Sequence, residues 1–194
     1  MEKLFMNVAG IDYSLCAPAI CLFIGDYYEE FSFDNCMFHF LTDTNKYATN
    51  FGSNIIGQSF DIFESDPERY DSISDWVMEK LGPIDEISLE GYAFGSKSNR
   101  LFQIAEHTGV LKYKIYQNSI PLSVFTPSEV KKFATGKGNA NKKDMYDAFV
   151  KETKVKLKEK ISPKKKDIGN PVSDIVDSYY ICKLLYSKLK VKSF

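Results

Sequence analysis

Four carboxylates stand where they could do chemistry. Asp12 closes the run Val8-Ala9-Gly10-Ile11-Asp12, and Glu90 closes Ile87-Ser88-Leu89-Glu90. A carboxylate that directly follows an apolar strand emerges at the carboxyl edge of a sheet, where clefts in α/β folds form. Asp174 and Asp177 are spaced i, i+3 within a segment that reads as a helix, so they share one face. Acids in a first helical turn complement the dipole. Asp177, however, lies among Ile175, Val176 and Ile181, off any obvious solvent stripe. Two like charges three residues apart also repel unless something positive lies between them, and a divalent cation would serve. Taken together, two strand-end acids and a helical Asp-x-x-Asp form an all-oxygen set that suits Mg²⁺ or Mn²⁺ rather than zinc. Two such ions about 3.5–4 Å apart can activate a water and stabilise the leaving oxygen in phosphodiester cleavage.

The charge distribution points the same way. The 194 residues carry a formal net charge of -1, which alone would argue against a nucleic-acid partner. That figure hides an asymmetry: residues 1–130 balance to -11, residues 131–167 to +8 and residues 168–194 to +2. An acidic body with a basic segment can mark a polyanion-binding face. The four cysteines at 16, 21, 36 and 182 form no CxxC pair, and with only His39 and His107 beside them they argue against a structural zinc site. Their expected role is that of small buried apolar residues.

The elements that must hold these groups follow from the apolar pattern. At 44% hydrophobic and 26% charged, the chain can bury a core and is expected to fold as one domain, residues 1–194. No apolar run is long enough for a membrane span, and Met1–Phe5 lacks the basic start and apolar stretch of a signal peptide; a cytoplasmic protein without a membrane partner is the expectation. Strands are predicted over 4–12, 15–24 and 84–90, with a turn at Gly25-Asp26 leading into a strand at 27–33 and the meander continuing over 36–41. Residues 42–65 read as a long loop or insertion. Helices are predicted over 66–81, stopped by Gly82-Pro83, and over 98–111. Residues 113–116 and 122–125 read as extended. Short helices follow Thr126-Pro127 and Asn141, separated by Gly136-Lys137-Gly138. A Lys-rich connection spans 152–170, and the last helix spans 171–189. Strands first and then alternating helices and strands imply an α/β fold with a mixed sheet flanked by helices.

At four blocks the chain resembles the RuvC-like Holliday-junction resolvases of the RNase H-like superfamily, particularly phage-type members. The blocks are Gly10-Ile11-Asp12; Leu89-Glu90-Gly91-Tyr92-Ala93-Phe94-Gly95; Thr126-Pro127-Ser128-Glu129-Val130-Lys131-Lys132 with Gly136-Lys137-Gly138-Asn139-Ala140-Asn141-Lys142; and Asp174-Ile175-Val176-Asp177. The resemblance implies a five-stranded mixed sheet and metal ligation by Asp12, Glu90, Asp174 and Asp177. It implies roles near the scissile phosphate for Lys131 and Lys142, with Lys132 and Lys143 as weaker candidates of the same kind. It also implies an aromatic that disturbs base stacking. Ungapped alignment puts Ala93 at that place, between Tyr92 and Phe94, either of which could substitute.

The activity so implied is Mg²⁺-dependent resolution of four-way (Holliday) DNA junctions, with two ions per site and Mn²⁺ able to replace them. A homodimer would cut by paired symmetric nicks that leave 5′-phosphate and 3′-hydroxyl ends. No nucleotide cofactor is expected. The family's Pro-Gly after the first acid is here Tyr13-Ser14, the interval from Asp12 to Glu90 is long, and Lys154–Lys166 is expanded; these departures bear on junction selectivity and the dimer surface. The alternatives are a looser branched-DNA or flap nuclease, an RNA-processing relative, a sugar-kinase or actin-like ATPase domain, and a non-catalytic DNA-binding module. The ATPase reading needs a second glycine-rich phosphate loop, and the binding module leaves the four acids unexplained.

Overall fold

The computed structural model describes residues 5–26, 28–92 and 100–192. The strands are β1 (Phe5–Asp12), β2 (Ala19–Asp26), β3 (Cys36–Thr42), β4 (Ile55–Ser59), β5 (Glu86–Glu90) and β6 (Leu122–Phe125). The helices are α1 (Asp66–Leu81), α2 (Arg100–Gln117), α3 (Pro127–Thr135), α4 (Lys142–Thr153), α5 (Leu157–Ile161) and α6 (Val172–Lys192). The strands form one sheet in the order β4-β3-β2-β1-β5-β6. β2 is antiparallel to both β1 and β3, whereas β4, β5 and β6 join parallel to β3, β1 and β5. The mixed α/β sheet flanked by helices is thus the predicted class, with six strands rather than five.

Side chains alternate across a strand with period two, and β1 shows how this divides the core. Ala9 and Ile11 face a layer in which Ile73, Trp76 and Val77 of α1 meet Leu111 and Ile115 of α2. Met6 and Val8 face the other way, onto Val176, Tyr179, Tyr180 and Cys182 of α6 and onto Phe149 of α4. Gly10 and Asp12 fall on this second face by the same alternation.

Several expected elements are displaced, for local reasons. The second strand begins at Ala19, because Ser14 Oγ accepts from the Ala17 amide at 3.0 Å and Pro18 follows, so the chain turns there. Gly25 and Asp26 belong to β2, paired with Met6 and Phe5. The turn comes after them: the Glu29 amide donates to the Asp26 carbonyl at 2.9 Å and the Tyr28 amide to Asp26 Oδ1 at 3.1 Å. No strand forms among the described residues of 27–33. Residues 42–65 are not a bare loop: they contain a short 3₁₀ turn at Asn45–Tyr47 and the edge strand β4. Residues 113–116 are the end of α2, not a strand; Leu111 and Ile115 are buried at helical spacing, and Lys114 is anchored to Asp71 and Asp75 of α1 at 2.7 and 2.6 Å. The Lys-rich connection holds α5, whose Leu157 and Ile161 are buried. Cys21, Cys36 and Cys182 are buried as expected, but Cys16 is exposed.

Candidate metal centre

Asp12 and Glu90 arrive at the same sheet edge because β1 and β5 run parallel with Ile11 level with Leu89. Their side chains point to the α6 face. Ser88, two residues before Glu90, donates its hydroxyl toward the Ile181 carbonyl of α6 at 3.1 Å and toward the Ala9 carbonyl at 3.0 Å. On β1 the equivalent position is Gly10, and there α6 lies directly on the strand. A Cβ on Gly10 would come within 2.1 Å of the Cys182 backbone nitrogen. This is the physical content of Gly10-Ile11-Asp12: the glycine admits the helix, and the aspartate two residues on lies beneath it. The lengths agree. From Gly10 to Asp12 the strand rises about 6.6 Å, and from Cys182 back to Asp177 the helix rises about 7.5 Å. The acid pair of α6 is therefore carried over the strand-end acids.

The four groups act on one another. The Asp12 carboxyl is held well above the usual range, first by desolvation and then by the charges of Asp174, Asp177 and Glu90. As a whole residue Asp12 is half-buried. Glu90 is pushed up to about 7 by burial and by Asp177. Asp174 is pushed up to about 7 and Asp177 to about 6, burial being the largest cause in each. Asp174 is 6% exposed; its Oδ1 accepts from Ser173 Oγ at 3.1 Å, while its Oδ2 is buried with no hydrogen-bond partner.

This set fits a hard divalent cation. Mutually repelling carboxylates and an orphaned carboxylate oxygen are what a bound cation relieves, and the donors are all oxygens. Among the described residues, no group of three or more His, Cys, Asp or Glu side chains is arranged to enclose a metal by itself. An open arrangement is the habit of Mg²⁺, which takes one or two carboxylates and completes its shell with water and substrate phosphates.

Two of the predicted lysines come to the acids. Lys142 opens α4, behind the Asn141–Asp144 capping box, and its Nζ donates to Ser173 Oγ at 3.2 Å. Its charge draws down the carboxyls of Asp12, Asp174 and Asp177. Lys131 of α3 does the same for Glu90 and Asp177. The other two do not share this place. Lys132 is exposed, and Lys143 is turned to Asp147 at 2.5 Å on the solvent side of α4. Tyr92, just past β5, is half-buried, with the Lys112 ammonium 5.2 Å from its ring centroid. Phe94 and Ala93 lie outside the described residues.

Two residues were missed from sequence. Ser173, 3% exposed, connects Lys142 to Asp174 and also lies 3.1 Å from Asn170 Oδ1. Its only signal was its place in the segment before the acid pair. Lys165 donates to the Asn170 carbonyl at 2.8 Å and draws down Asp174; nothing in the Lys-rich run distinguished it.

Comparison with known proteins shows the family. The family model described as crossover junction endodeoxyribonuclease RuvC matches residues 52–172, a span that holds Glu90, Lys131 and Lys142 and excludes Asp12, Asp174 and Asp177. Crossover junction endodeoxyribonuclease RuvC of Pseudothermotoga lettingae is 32% identical over 101 residues, 52% of this chain and 59% of that protein. That of Sulfurovum sp. (strain NBC37-1) is 31% identical over 87 residues, 45% of this chain and 54% of that protein. The chain thus spans a little over half the length of these curated relatives. Among solved structures, Thermus thermophilus RuvC in complex with Holliday junction substrate superposes with a TM-score of 0.61 at 15% identity, covering 95% of this chain and 96% of that one, a likeness of fold. With most of its length matched by the family model and its acids gathered at one sheet edge, the chain belongs to the RuvC family of crossover junction endodeoxyribonucleases.

Proposed function

We propose that this protein is a divalent-metal-dependent endonuclease that resolves four-way DNA junctions by paired symmetric nicks. The observation that supports it most directly is the convergence of Asp12, Glu90, Asp174 and Asp177, from three elements, on one solvent-reachable edge beside two lysines. Those four acids would hold two Mg²⁺ ions, or Mn²⁺ in their place. When bound, such ions supply Lewis-acid polarisation of the phosphodiester and lower the pKa of water. The chain's own part is positioning and charge. Lys142 and Lys131 offset the phosphate's negative charge as it grows in the transition state. Ser173 fixes the Lys142 ammonium beside Asp174. Tyr92, half-buried just past Glu90, would be the aromatic on which an unpaired base stacks.

Junction symmetry calls for two sites related by a two-fold axis, and hence for a homodimer. α2 supports one. Phe102, Tyr113 and Tyr116 are 72%, 60% and 78% exposed and, with open Gly109, recur at heptad-like spacing along one face. The test of function is Asp174→Asn on a fixed four-way junction with Mg²⁺. Cleavage is expected to vanish while junction binding survives; wild-type nicking rates in the variant would refute the site.

A further inference from the structure

We propose that the 42–65 region and the Lys-rich connection close into a phosphate-binding cleft that grips the DNA backbone of a junction arm beside the cleavage site. This rests on the proposed function and deepens it. Tyr47, at the end of the 3₁₀ turn in the first segment, is buried at 4% exposure. Lys46 reaches over its ring at 4.8 Å from the centroid, and Lys165 from the second segment at 5.3 Å. Together with Lys164 and Pro163 they line a cleft of about 300 Å³. At the neighbouring turn, the Lys160 ammonium lies over Gly52, 2.7 Å from where a Cβ would stand.

Three observations assign this cleft to a polyanion. The first is that its lysines make no ion pair among the described residues. The ion pairs among the described residues engage Lys80, Lys114, Lys143, Lys156, Lys183 and Lys188, but not Lys46, Lys160, Lys164 or Lys165. Of the acids nearby in sequence, Asp43 and Asp167 are exposed and make no ion pair among those residues, and Glu159 pairs with Lys156. The second is that Tyr47 fixes the positions of the ammonium groups: cation–π contacts hold two of them around a buried ring instead of leaving them to sweep through solvent. The third is continuity. Lys165 donates to the Asn170 carbonyl at 2.8 Å, and Asn170 Oδ1 accepts from Ser173 Oγ, the neighbour of Asp174, at 3.1 Å, so the cleft adjoins the acids where a phosphodiester would lie. A backbone strand with regularly spaced phosphates meets these conditions.

The test uses the full chain carrying Lys46→Gln and Lys164→Gln together, with Lys143→Gln as a control lysine of similar exposure. Binding of a fluorescent four-way junction in EDTA is measured from 50 to 200 mM NaCl, and single-turnover nicking with Mg²⁺ at saturating protein. Each lost phosphate contact lowers the salt slope by roughly 0.9. Over this fourfold salt range the wild type should therefore lose about tenfold more affinity than the double variant. Nicking at saturation should be unchanged, which also shows that the variant is folded. A double-variant slope equal to wild type, with wild-type nicking intact, overturns the cleft and leaves the proposed function standing. A reduced slope in a protein that nicks no junction supports the cleft as a DNA site and overturns the nuclease reading. Absence of DNA binding by the wild type overturns both.

Discussion

Gly10→Ala tests the packing that builds the site. The added Cβ would stand 2.1 Å from the Cys182 nitrogen and 2.5 Å from its Cα. Ordinary contact begins at 3.4 Å, so α6 must retreat by about 1.3 Å or β1 must yield. Neither is soft. β1 is a central strand paired on both sides, and α6 is tied to the sheet through Ser88 and the Ile181 carbonyl. Overpacking of this kind costs about 1–3 kcal/mol, and a backbone obstacle places it at the upper end. For a chain of this size that corresponds to a fall in Tm of roughly 5–10 °C. The larger effect should be on activity. The retreat carries Asp174 and Asp177 away from Asp12 and Glu90, and a misplacement of about 1 Å can cost on the order of 100-fold in rate. Thermal unfolding and single-turnover nicking of a four-way junction measure the two effects. Gly169→Ala, with open space around it and an ordinary φ, is the matched control. If Gly10→Ala melts within about 1 °C of wild type and nicks at the wild-type rate, the seating of helix α6 on Gly10 does not position the acids.

The raised carboxyls give a pH signature. Unfolded, these acids titrate near 4; folded and metal-free, Glu90 and Asp174 titrate at about 7 and Asp177 at about 6. The native state therefore binds more protons between pH 4 and 7, and the stability associated with these groups falls as pH rises through that window. Calorimetry of metal-stripped protein should show a lower Tm at pH 8 than at pH 5.5, with saturating Mg²⁺ or Mn²⁺ raising Tm more at pH 8; a metal response that is equal at both pH values contradicts this. Lys142→Ala should slow nicking by roughly 100- to 1000-fold, whereas Lys143→Ala, which loses only an exposed pair with Asp147, should leave it within about twofold; equal losses would erase the distinction between the two. Tyr113→Glu with Tyr116→Glu should convert a sedimenting dimer to monomer, and an unchanged dimer would move the interface away from α2.

The fold was legible where periodicity was strong and illegible where tertiary contacts decide. α1 falls on the predicted 66–81 because its start and stop signals are local: Ser65 caps it, Pro67 sits in its first turn and Gly82 ends it at φ 56°. β4 was missed because Ile55-Ile56-Gly57-Gln58-Ser59 is short, polar at one end and interrupted by a glycine, a pattern that reads as loop. That glycine is the trace of tertiary structure, since a Cβ on Gly57 would lie 2.0 Å from the Tyr47 carbonyl. The tyrosine-rich end of α2 reads as strand because Tyr113 and Tyr116 favour strands in the abstract. Leu111 and Ile115, buried at i, i+4, carry the helix onward, and only the partner helix α1 shows that this spacing is the one used.

The site itself divides along the same line. Strand-end acids are legible because the alternation that buries Val8 also aims Asp12, and Ser88 stands in the same relation to Glu90. The lysines were legible as a group, and choosing among them requires helix phase. Successive helical residues turn by about 100°. In α4 the buried residues are Met145 and Phe149, so Lys142, three residues before Met145, is turned toward Ser173 from an exposed position, and Lys143, two before it, is turned away. In α3 buried Val130 leaves Lys131 on the flank and sends Lys132 toward solvent. Apolar residues near a lysine run thus select which lysine faces the acids. That selection needs no structure once the core face is known, and it separates Lys131 and Lys142 from the neighbours that share their sequence motif.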